Sequence, residues 1–229
     1  MNRRIPVCCF IFDLDGTLVY YKDGVLEFLD KIVIHTLQDL NLPLPDKKER
    51  LKLWDGKISS NDVLRSWKIS NLYEFWRTFD SYQLPAVEDG IKNGEILLYD
   101  DVLPTLRKLK EEGFVIAVVT NTPSDITEIK LKGLGIRDFF SCVIALGTEL
   151  QELAKPNPYG ILKCIKKLGF SPKEVAYVGD SQFDILAAKN AGCYSVLINR
   201  ERRVLEEEPD FEIVDLNDLL STFKKCERY

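Results

Sequence analysis

Apolar and polar residues follow two kinds of pattern along this chain, and the two kinds alternate. Three short runs are apolar at nearly every position, which is typical of strands buried on both faces of a sheet: 7–13, 114–121 and 174–180. Shorter runs of this kind are found at 142–146 and 194–198. Patterns with the helical period lie between them: 100–112, 124–134, 158–168 and 182–191. The alternation predicts an α/β fold, a parallel sheet with helices on both faces.

Residues 20–95 interrupt this alternation with helical patterns and little strand signal: 24–41, 47–54 and 60–80. In the last pattern, apolar residues including Trp67 and Trp76 recur at helical spacing, which favours the interior of a helix bundle. The alternative is that one or two of these aromatic side chains face a substrate. We therefore predict a core domain formed by 1–19 and 96–229, and an inserted all-helical domain formed by 20–95. The tail at 215–226 is predicted to close the fold as an amphipathic helix.

Composition and charge exclude several classes of protein. The 229 residues carry 31 Lys and Arg against 36 Asp and Glu, a formal charge of −5, so no nucleic-acid partner is expected. No segment reaches the ~18 apolar residues of a membrane span, and the apolar run at 5–12 is too short for a secretion signal. None of the six cysteines forms a CxxC pair, and free thiols in a reducing, cytoplasmic setting are expected. Nothing in the pattern indicates an oligomeric state.

Polar side chains follow the predicted strands directly. Asp13 and Asp15 come after the first strand, Thr120 and Asn121 end the second, and Asp180 follows the third. Because ligands gather at the carboxyl ends of the strands in such sheets, we expect these groups to meet. Converging carboxylates repel one another, and a divalent cation relieves the repulsion. Oxygen ligands of this kind favour Mg²⁺, held together with water and a substrate phosphate.

The order Asp-x-Asp-Gly-Thr suits covalent phosphoryl transfer. Side chains two positions apart on an extended segment point the same way, so Asp13 and Asp15 can act on one substrate. Asp13 is a candidate nucleophile. Asp15 is a candidate for protonating the leaving oxygen and then activating water. Gly16 allows a tight turn at close approach. The alternative for this element is a polar exit from a strand into a turn.

Four motifs, in this order, resemble those of the haloacid dehalogenase superfamily: "DLDGT" (13–17), "VVTNT" (118–122), "KPNP" (155–158) and "GDSQFD" (179–184). The helical insertion lies where this family places its cap domain. The resemblance implies a Rossmann-like core with a helical cap, as in phosphatases of the phosphoglycolate phosphatase type. It also implies that Asp13 is the nucleophile and a Mg²⁺ ligand. Asp15 would be the general acid and base, with its backbone carbonyl on the metal.

The later motifs imply further roles for single residues. Thr120 would hydrogen-bond the transferring phosphoryl group together with the backbone of Asn121, and Lys155 would offset negative charge. Asp180 would bind Mg²⁺, and Asp184 would support the metal waters or Lys155. Each position also has a structural alternative: Thr120 as a strand former, Lys155 as a solvated lysine, and Asp180 as a turn residue. Asp184 could be an acid favoured by the helix dipole.

The predicted function is Mg²⁺-dependent hydrolysis of a small soluble phosphomonoester through an aspartyl-phosphate. The second acid, Asp15, argues against a dehalogenase, which has no alkoxide to protonate. A phosphomutase would use the same motifs, and a phosphonatase would need a cap lysine such as Lys22 or Lys57. From another class, a non-catalytic phospho-accepting regulatory protein remains an alternative. Phosphoglycolate-like, sugar-phosphate and nucleoside-monophosphate substrates all stay open.

Overall fold

The computed structural model describes residues 4–55, 58–202 and 204–227, so Lys57 lies outside the described residues. The strands of this part of the chain are β1 (Ile5–Val7), β2 (Cys9–Phe12), β3 (Val19–Tyr21), β4 (Ile96–Leu98), β5 (Val115–Thr120), β6 (Cys142–Ala145), β7 (Val175–Gly179), β8 (Tyr194–Ile198), β9 (Phe211–Ile213) and β10 (Phe223–Lys225). Six of them form a parallel sheet in the order β6–β5–β2–β7–β8–β9. The five strands predicted from apolar runs all belong to this sheet.

The α-helices of the described residues are α1 (Val25–Asp39), α2 (Lys47–Leu51), α3 (Ser60–Ser66), α4 (Leu72–Lys92), α5 (Val102–Glu111), α6 (Ser124–Gly133), α7 (Tyr159–Leu168), α8 (Gln182–Ala191) and α9 (Leu219–Thr222). Side chains of β2 alternate between the two faces of the sheet. Phe10 and Phe12 pack with residues of α5 and α6, whereas Cys9 and Ile11 pack with residues of α7 and α8. Burial on both faces explains why the strands are apolar throughout, and the predicted fold class is confirmed.

The inserted segment forms a helical cap. Helices α1 to α4 lie between β3 and β4, which pair antiparallel as a two-stranded connection to the core. The cap has a core of its own, in which the rings of Trp54, Phe75 and Phe79 surround Trp76. The domain boundaries at 19/20 and 95/96 stay a prediction.

The predicted single helix at 60–80 is wrong, because the chain turns between α3 and α4. Lys68 lies in this turn with a φ of 64°, and the side chain of Asn71 caps α4 by accepting a hydrogen bond from the Glu74 backbone N–H at 3.1 Å. The apolar residues kept their helical spacing across the turn, so the periodicity alone did not reveal the break.

The tail differs from the predicted amphipathic helix. A 3₁₀ turn and the four residues of α9 are followed by β10, which pairs in parallel with β1. This pairing brings Cys226 to Cys8, and the two form a disulfide with a Cα–Cα distance of 5.1 Å. The expectation of free thiols is therefore wrong for this pair; the other cysteines, Cys9, Cys142, Cys164 and Cys193, are buried and lie outside this disulfide. Within the described residues, no helix is long and apolar enough to cross a bilayer.

Candidate active site

The candidate site lies at the carboxyl ends of the three central strands. Residues at the ends of β5 and β7 flank the end of β2, since Phe12 is paired with Val118 on one side and with Val178 on the other. One cavity of about 180 Å³ opens there, between the sheet and the cap. It is lined by all seven residues that the motifs singled out: Asp13, Asp15, Thr120, Asn121, Lys155, Asp180 and Asp184.

The turn after β2 requires glycine at position 16. Gly16 has a φ of +83°, a conformation that residues with a Cβ rarely adopt. A Cβ at this position would also lie 2.5 Å from a carboxylate oxygen of Asp180. Conformation and packing therefore both demand glycine here, and its small size lets the loops after β2 and β7 approach each other.

Lys155 connects the acids of two motifs. Its ammonium group donates hydrogen bonds to Asp13 at 2.5 Å, to Asp184 at 2.6 Å and to the hydroxyl of Tyr177 at 3.0 Å. Tyr177 in turn donates to the carbonyl of Val119 at 3.0 Å, which anchors it on the neighbouring strand. Lys155 is a buried ion-pair partner of the nucleophile candidate, and the solvated alternative does not apply.

Asp184 serves both the site and the helix that carries it. One carboxylate oxygen accepts from Lys155, while the other accepts from the Ser181 backbone N–H at 3.0 Å, as part of the capping box that begins α8. Gly179, at the end of β7, leaves room for this side chain, because a Cβ on Gly179 would overlap with it. Asp184 thus lies in the first turn of α8, as in the helix-dipole alternative, and also contacts Lys155.

Three carboxylates of the cavity fit a hard divalent cation. Oxygens of Asp13, Asp180 and Asp184 all lie within 4.8 Å of one another. Burial, opposed by Lys155 and reinforced by the Asp184 charge, raises the pKa of Asp13 to about 7. Such a concentration of buried acids is the environment in which an oxygen-binding cation removes repulsion. These side chains could therefore hold Mg²⁺.

The Asp15 side chain points away from this carboxylate cluster into a network of donors. The ammonium of Lys130 lies 2.8 and 2.7 Å from its two oxygens, and the hydroxyls of Tyr21 and Thr122 donate at 2.8 and 2.9 Å. Burial alone would raise the pKa of Asp15, but the Lys130 charge and these hydrogen bonds outweigh it and lower the pKa. Asp15 is consequently a carboxylate in the resting site.

Sequence reasoning missed Lys130, although a signal was present. Lys130 lies one helical turn after Ile126 in α6, on the face that packs against the sheet, and it is fully buried. A lysine on the apolar face of an amphipathic helix indicates a buried anionic partner. The partner itself, Asp15, lies 115 residues earlier and could not be read from the helix.

Thr120 and Asn121 both organise the loop after β5. The hydroxyl of Thr120 accepts from the Thr122 backbone N–H at 3.2 Å. The Asn121 side chain accepts from the Lys155 backbone N–H at 2.9 Å and donates to the Lys155 carbonyl at 3.4 Å. The amide of Asn121 thereby fixes the segment that carries Lys155, a role that the sequence analysis did not assign to it.

The cap supplies the other wall of the cavity. Its apolar part consists of Val25, Leu26, Leu29, Trp54, Trp76 and Phe79. Its polar part consists of Ser60, Asp80 and Gln83. Two of the three tryptophans therefore face the cavity as well as the cap core, which the sequence analysis kept as the alternative to a purely structural role.

Carboxylates and a buried lysine lie together at the carboxyl ends of the strands of a parallel β-sheet, under a helical cap. This combination is typical of a site for phosphoryl transfer. A match to the haloacid dehalogenase-like hydrolase family covers residues 10–198. The chain therefore belongs to this family, and the predicted resemblance is confirmed.

Relatives of known name support the same class. A phosphoglycolate phosphatase of Pectobacterium atrosepticum is 34% identical over 192 residues, which cover 81% of this chain and 77% of that protein. Another of Haemophilus influenzae is 32% identical over 92% of this chain and 95% of its own length. A candidate pyrophosphatase, PpaX of Clostridium perfringens, is also 32% identical, over 93% and 98%. The family match and the two phosphoglycolate phosphatases confirm the predicted enzyme class, a phosphoric monoester hydrolase.

Solved structures share the whole architecture. The crystal structure of a predicted phosphoglycolate phosphatase from Haemophilus somnus matches with a TM-score of 0.71 and 29% identity, over 94% of this chain and 97% of that one. A structure from Lactobacillus plantarum that is only 16% identical matches with a TM-score of 0.74 over 96% and 100%, which shows the fold alone.

Proposed function

We propose that this hydrolase is a Mg²⁺-dependent phosphatase that acts on a small phosphomonoester through an aspartyl-phosphate on Asp13. The observation that carries the proposal is the position of the Asp13 carboxylate. It is held 2.5 Å from the Lys155 ammonium and lies within 4.8 Å of the carboxylate oxygens of Asp180 and Asp184. Lys155 binds one oxygen of this carboxylate and neutralises part of its charge, and the other oxygen is the one proposed to attack phosphorus.

The proposed chemistry divides the work between two acids. A carboxylate oxygen of Asp13 bonds to phosphorus while the bond from phosphorus to the ester oxygen breaks, and Asp15 in its acid form protonates the departing alkoxide. In the second step Asp15 takes a proton from water, which attacks the acyl phosphate and releases inorganic phosphate. Asp13, Asp180 and the backbone carbonyl of Asp15 would hold the metal, and a bound Mg²⁺ would supply positive charge to the phosphoryl oxygens.

The resting protonation state of Asp15 suits the second step directly. Its contacts with Lys130, Tyr21 and Thr122 favour the carboxylate, which is the form that accepts a proton from water. For the first step it must take up a proton. A dianionic phosphate beside Asp15 favours this, because neighbouring negative charge raises the pKa of a carboxyl group.

The alternatives draw less support from the structure. Lys22 lies on the exposed surface and is absent from the residues that line the site cavity, so the described part of the chain offers no Schiff-base lysine for a phosphonatase. A phospho-accepting regulatory protein would have no use for a cap that lines the cavity. A cytoplasmic location stays part of the proposal, although the Cys8–Cys226 disulfide removes free thiols as an argument for it.

The test is hydrolysis of p-nitrophenyl phosphate and of a panel of phosphorylated metabolites, with Mg²⁺ and with EDTA. Asp13→Asn should lower turnover by at least about 10³-fold, since it removes the nucleophile, and EDTA should abolish activity reversibly. Asp138→Asn, a change at an exposed aspartate outside the cavity, is the control and should retain full activity. Full activity of Asp13→Asn, or hydrolysis that persists in EDTA, would contradict the proposal.

A further inference from the structure

The cap wall bears on which phosphomonoester enters the cavity. We propose that the cavity selects esters of neutral alcohols that carry an apolar face and a free hydroxyl, and that Asp80 is the residue that excludes a second anionic group. The inference rests on the phosphatase function proposed above and adds the substrate class to it. It separates this chain from an enzyme whose leaving alcohol carries a carboxylate, as the glycolate released from phosphoglycolate does.

The apolar part of the wall favours a leaving group with carbon surface. Leu26, Leu29, Trp54, Trp76 and Phe79 line the cavity opposite the carboxylates of the sheet. Trp54 stands 6.1 Å from Trp76 and 5.9 Å from Phe79 between ring centroids, so the three rings form one continuous surface. Aromatic rings arranged in this way offer large contact area to an apolar ligand and no charge to an anionic one.

Asp80 places a negative charge in the same wall. It belongs to α4, one residue after Phe79, and lines the cavity together with the amide of the buried Gln83 one helical turn further on. The hydroxyl of Thr148 donates a hydrogen bond to its carboxylate across the boundary between cap and core. Burial raises the pKa of Asp80 to about 7, and the charge of Asp125 adds to this effect. The carboxylate is thus ionised at mildly alkaline pH and costly to place beside another anion.

The cationic side chain of the cavity does not neutralise the negative charge of Asp80. Of the described residues that line the cavity, Lys155 alone is cationic, and its ammonium is already bound to Asp13 and Asp184. A carboxylate on the leaving group would therefore meet Asp80 without a cation to pair with. A hydroxyl on the leaving group would instead donate to Asp80 or to the Gln83 oxygen, which are acceptors within the same wall.

The experiment compares substrates that differ in one group. Phosphoglycolate and 2-hydroxyethyl phosphate have the same length and phosphoester, and carry a carboxylate and a hydroxymethyl group respectively. Benzyl phosphate and ethyl phosphate form the second pair, which tests the aromatic surface. At pH 8 we expect kcat/KM to favour 2-hydroxyethyl phosphate over phosphoglycolate by about tenfold or more, where tenfold corresponds to about 1.4 kcal/mol. Benzyl phosphate should be favoured over ethyl phosphate by a similar factor.

Variants test whether the preference against phosphoglycolate comes from the Asp80 side chain. Asp80→Asn should raise kcat/KM for phosphoglycolate by about tenfold while leaving benzyl phosphate within about twofold, because it removes the charge and keeps the shape. Asp89→Asn removes an exposed charge from the same helix and should leave both ratios unchanged. Thr148→Val breaks the contact between cap and core but keeps the Asp80 charge. If the effect of Asp80→Asn came from that contact, Thr148→Val would reproduce it.

Each outcome decides between the two proposals. Phosphoglycolate hydrolysed by the wild type as well as or better than 2-hydroxyethyl phosphate would overturn the substrate class and leave the phosphatase function standing. The wild-type ratio needs no variant, so a poorly folding Asp80→Asn protein does not affect this comparison. Phosphoglycolate hydrolysis that disappears in Lys57→Ala would likewise overturn the inference, because it would identify a cation for the carboxylate. Hydrolysis of p-nitrophenyl phosphate but of none of these esters would overturn the substrate class alone, whereas hydrolysis of neither would overturn the phosphatase function as well.

Discussion

Lys130 is held in the interior by one strong partner. Its ammonium contacts both oxygens of Asp15, and it lies 5.7 Å from the centre of the Tyr21 ring, in a side chain with no exposed surface. Removing one member of a buried ion pair leaves the other without compensation, a loss larger than the pair's net contribution to stability. Lys130 therefore acts as a positioning residue that fixes the orientation and charge of Asp15.

Lys130→Met should lower kcat by about tenfold or more, because Asp15 loses its orientation, and should shift the pH profile. Lys130 lowers the pKa of Asp15, so its removal raises that pKa. The first step needs Asp15 in its acid form, so the alkaline limb of kcat/KM should move to higher pH. Lys132→Met removes an exposed charge from the same helix and is the matched control. A Lys130→Met enzyme with the wild-type pH profile would show that Lys130 does not set the state of Asp15.

At the scale of single residues, the sequence predicts the positions of motif residues but not the partners that side chains find by packing. The DLDGT and GDSQFD stretches placed Asp13, Asp180 and Asp184 correctly in one cavity, because strand ends in a parallel sheet share an edge. Their roles remain predictions. Lys130 was not predicted, because its partner is determined by which side of α6 meets the loop after β2, and that depends on the docking of the helix.

At the scale of elements, strand length decides what could be predicted. The runs that became β5 and β7 are long and apolar, since both faces are buried, and they were predicted with bounds within one residue. By contrast β3, β4 and β10 have three residues each, which is too short for a periodic signal. Their pairing arises from neighbouring structure: β3 and β4 connect cap and core, and β10 completes an edge beside β1.

The pairing of β10 with β1 makes the disulfide a long-range constraint. Cys8 and Cys226 are 218 residues apart, so their bond closes almost the whole chain into a loop. The loop-entropy account predicts a stabilisation of about 5 kcal/mol at most for a loop of this length, and typical values are about 2–4 kcal/mol. The bond adds to the packing of Phe223, which is buried in the core against Phe10 and Phe211, so we expect both to hold the tail in place.

Reduction of the wild type, or Cys226→Ser, should lower the free energy of unfolding by about 2–5 kcal/mol in urea titrations. The two effects share one cause, so reductant should not destabilise Cys226→Ser further. Phosphatase activity below the transition should be retained, because both cysteines lie outside the cavity. Six free thiols in the unreduced, denatured protein would show that the disulfide does not form.

At the scale of the whole molecule, the cap meets the core where α4 packs against α6 and also through a short 3₁₀ segment, Thr148–Leu153. The carboxylate of Glu152 accepts from the Asn61 amide at 3.0 Å and from the Arg65 guanidinium at 3.1 Å, both on α3. Asn61 also accepts from the Trp76 indole N–H at 2.8 Å, which connects this contact to the cavity wall. The sequence predicted that a helical insertion exists, but not this docking, because the polar partners lie in different units, 87 and 91 residues apart in the chain.

Because the ion pair between Glu152 and Arg65 is exposed, we expect its loss to affect substrate binding rather than folding. The side chains of Glu152 and Arg65 are 71% and 51% exposed, and ion pairs of this kind contribute at most about 1 kcal/mol. If closure of the cap over the cavity depends on them, Glu152→Ala should raise KM by about two- to fivefold, with kcat and Tm nearly unchanged.

Asp62→Ala breaks a similar pair with Arg65 that lies entirely within the cap, and it should leave KM unchanged. Steady-state kinetics at low and high salt check the argument, because screening should shrink the difference between wild type and Glu152→Ala. An unchanged KM in Glu152→Ala, or an equal rise in Asp62→Ala, would mean that cap closure does not depend on this contact.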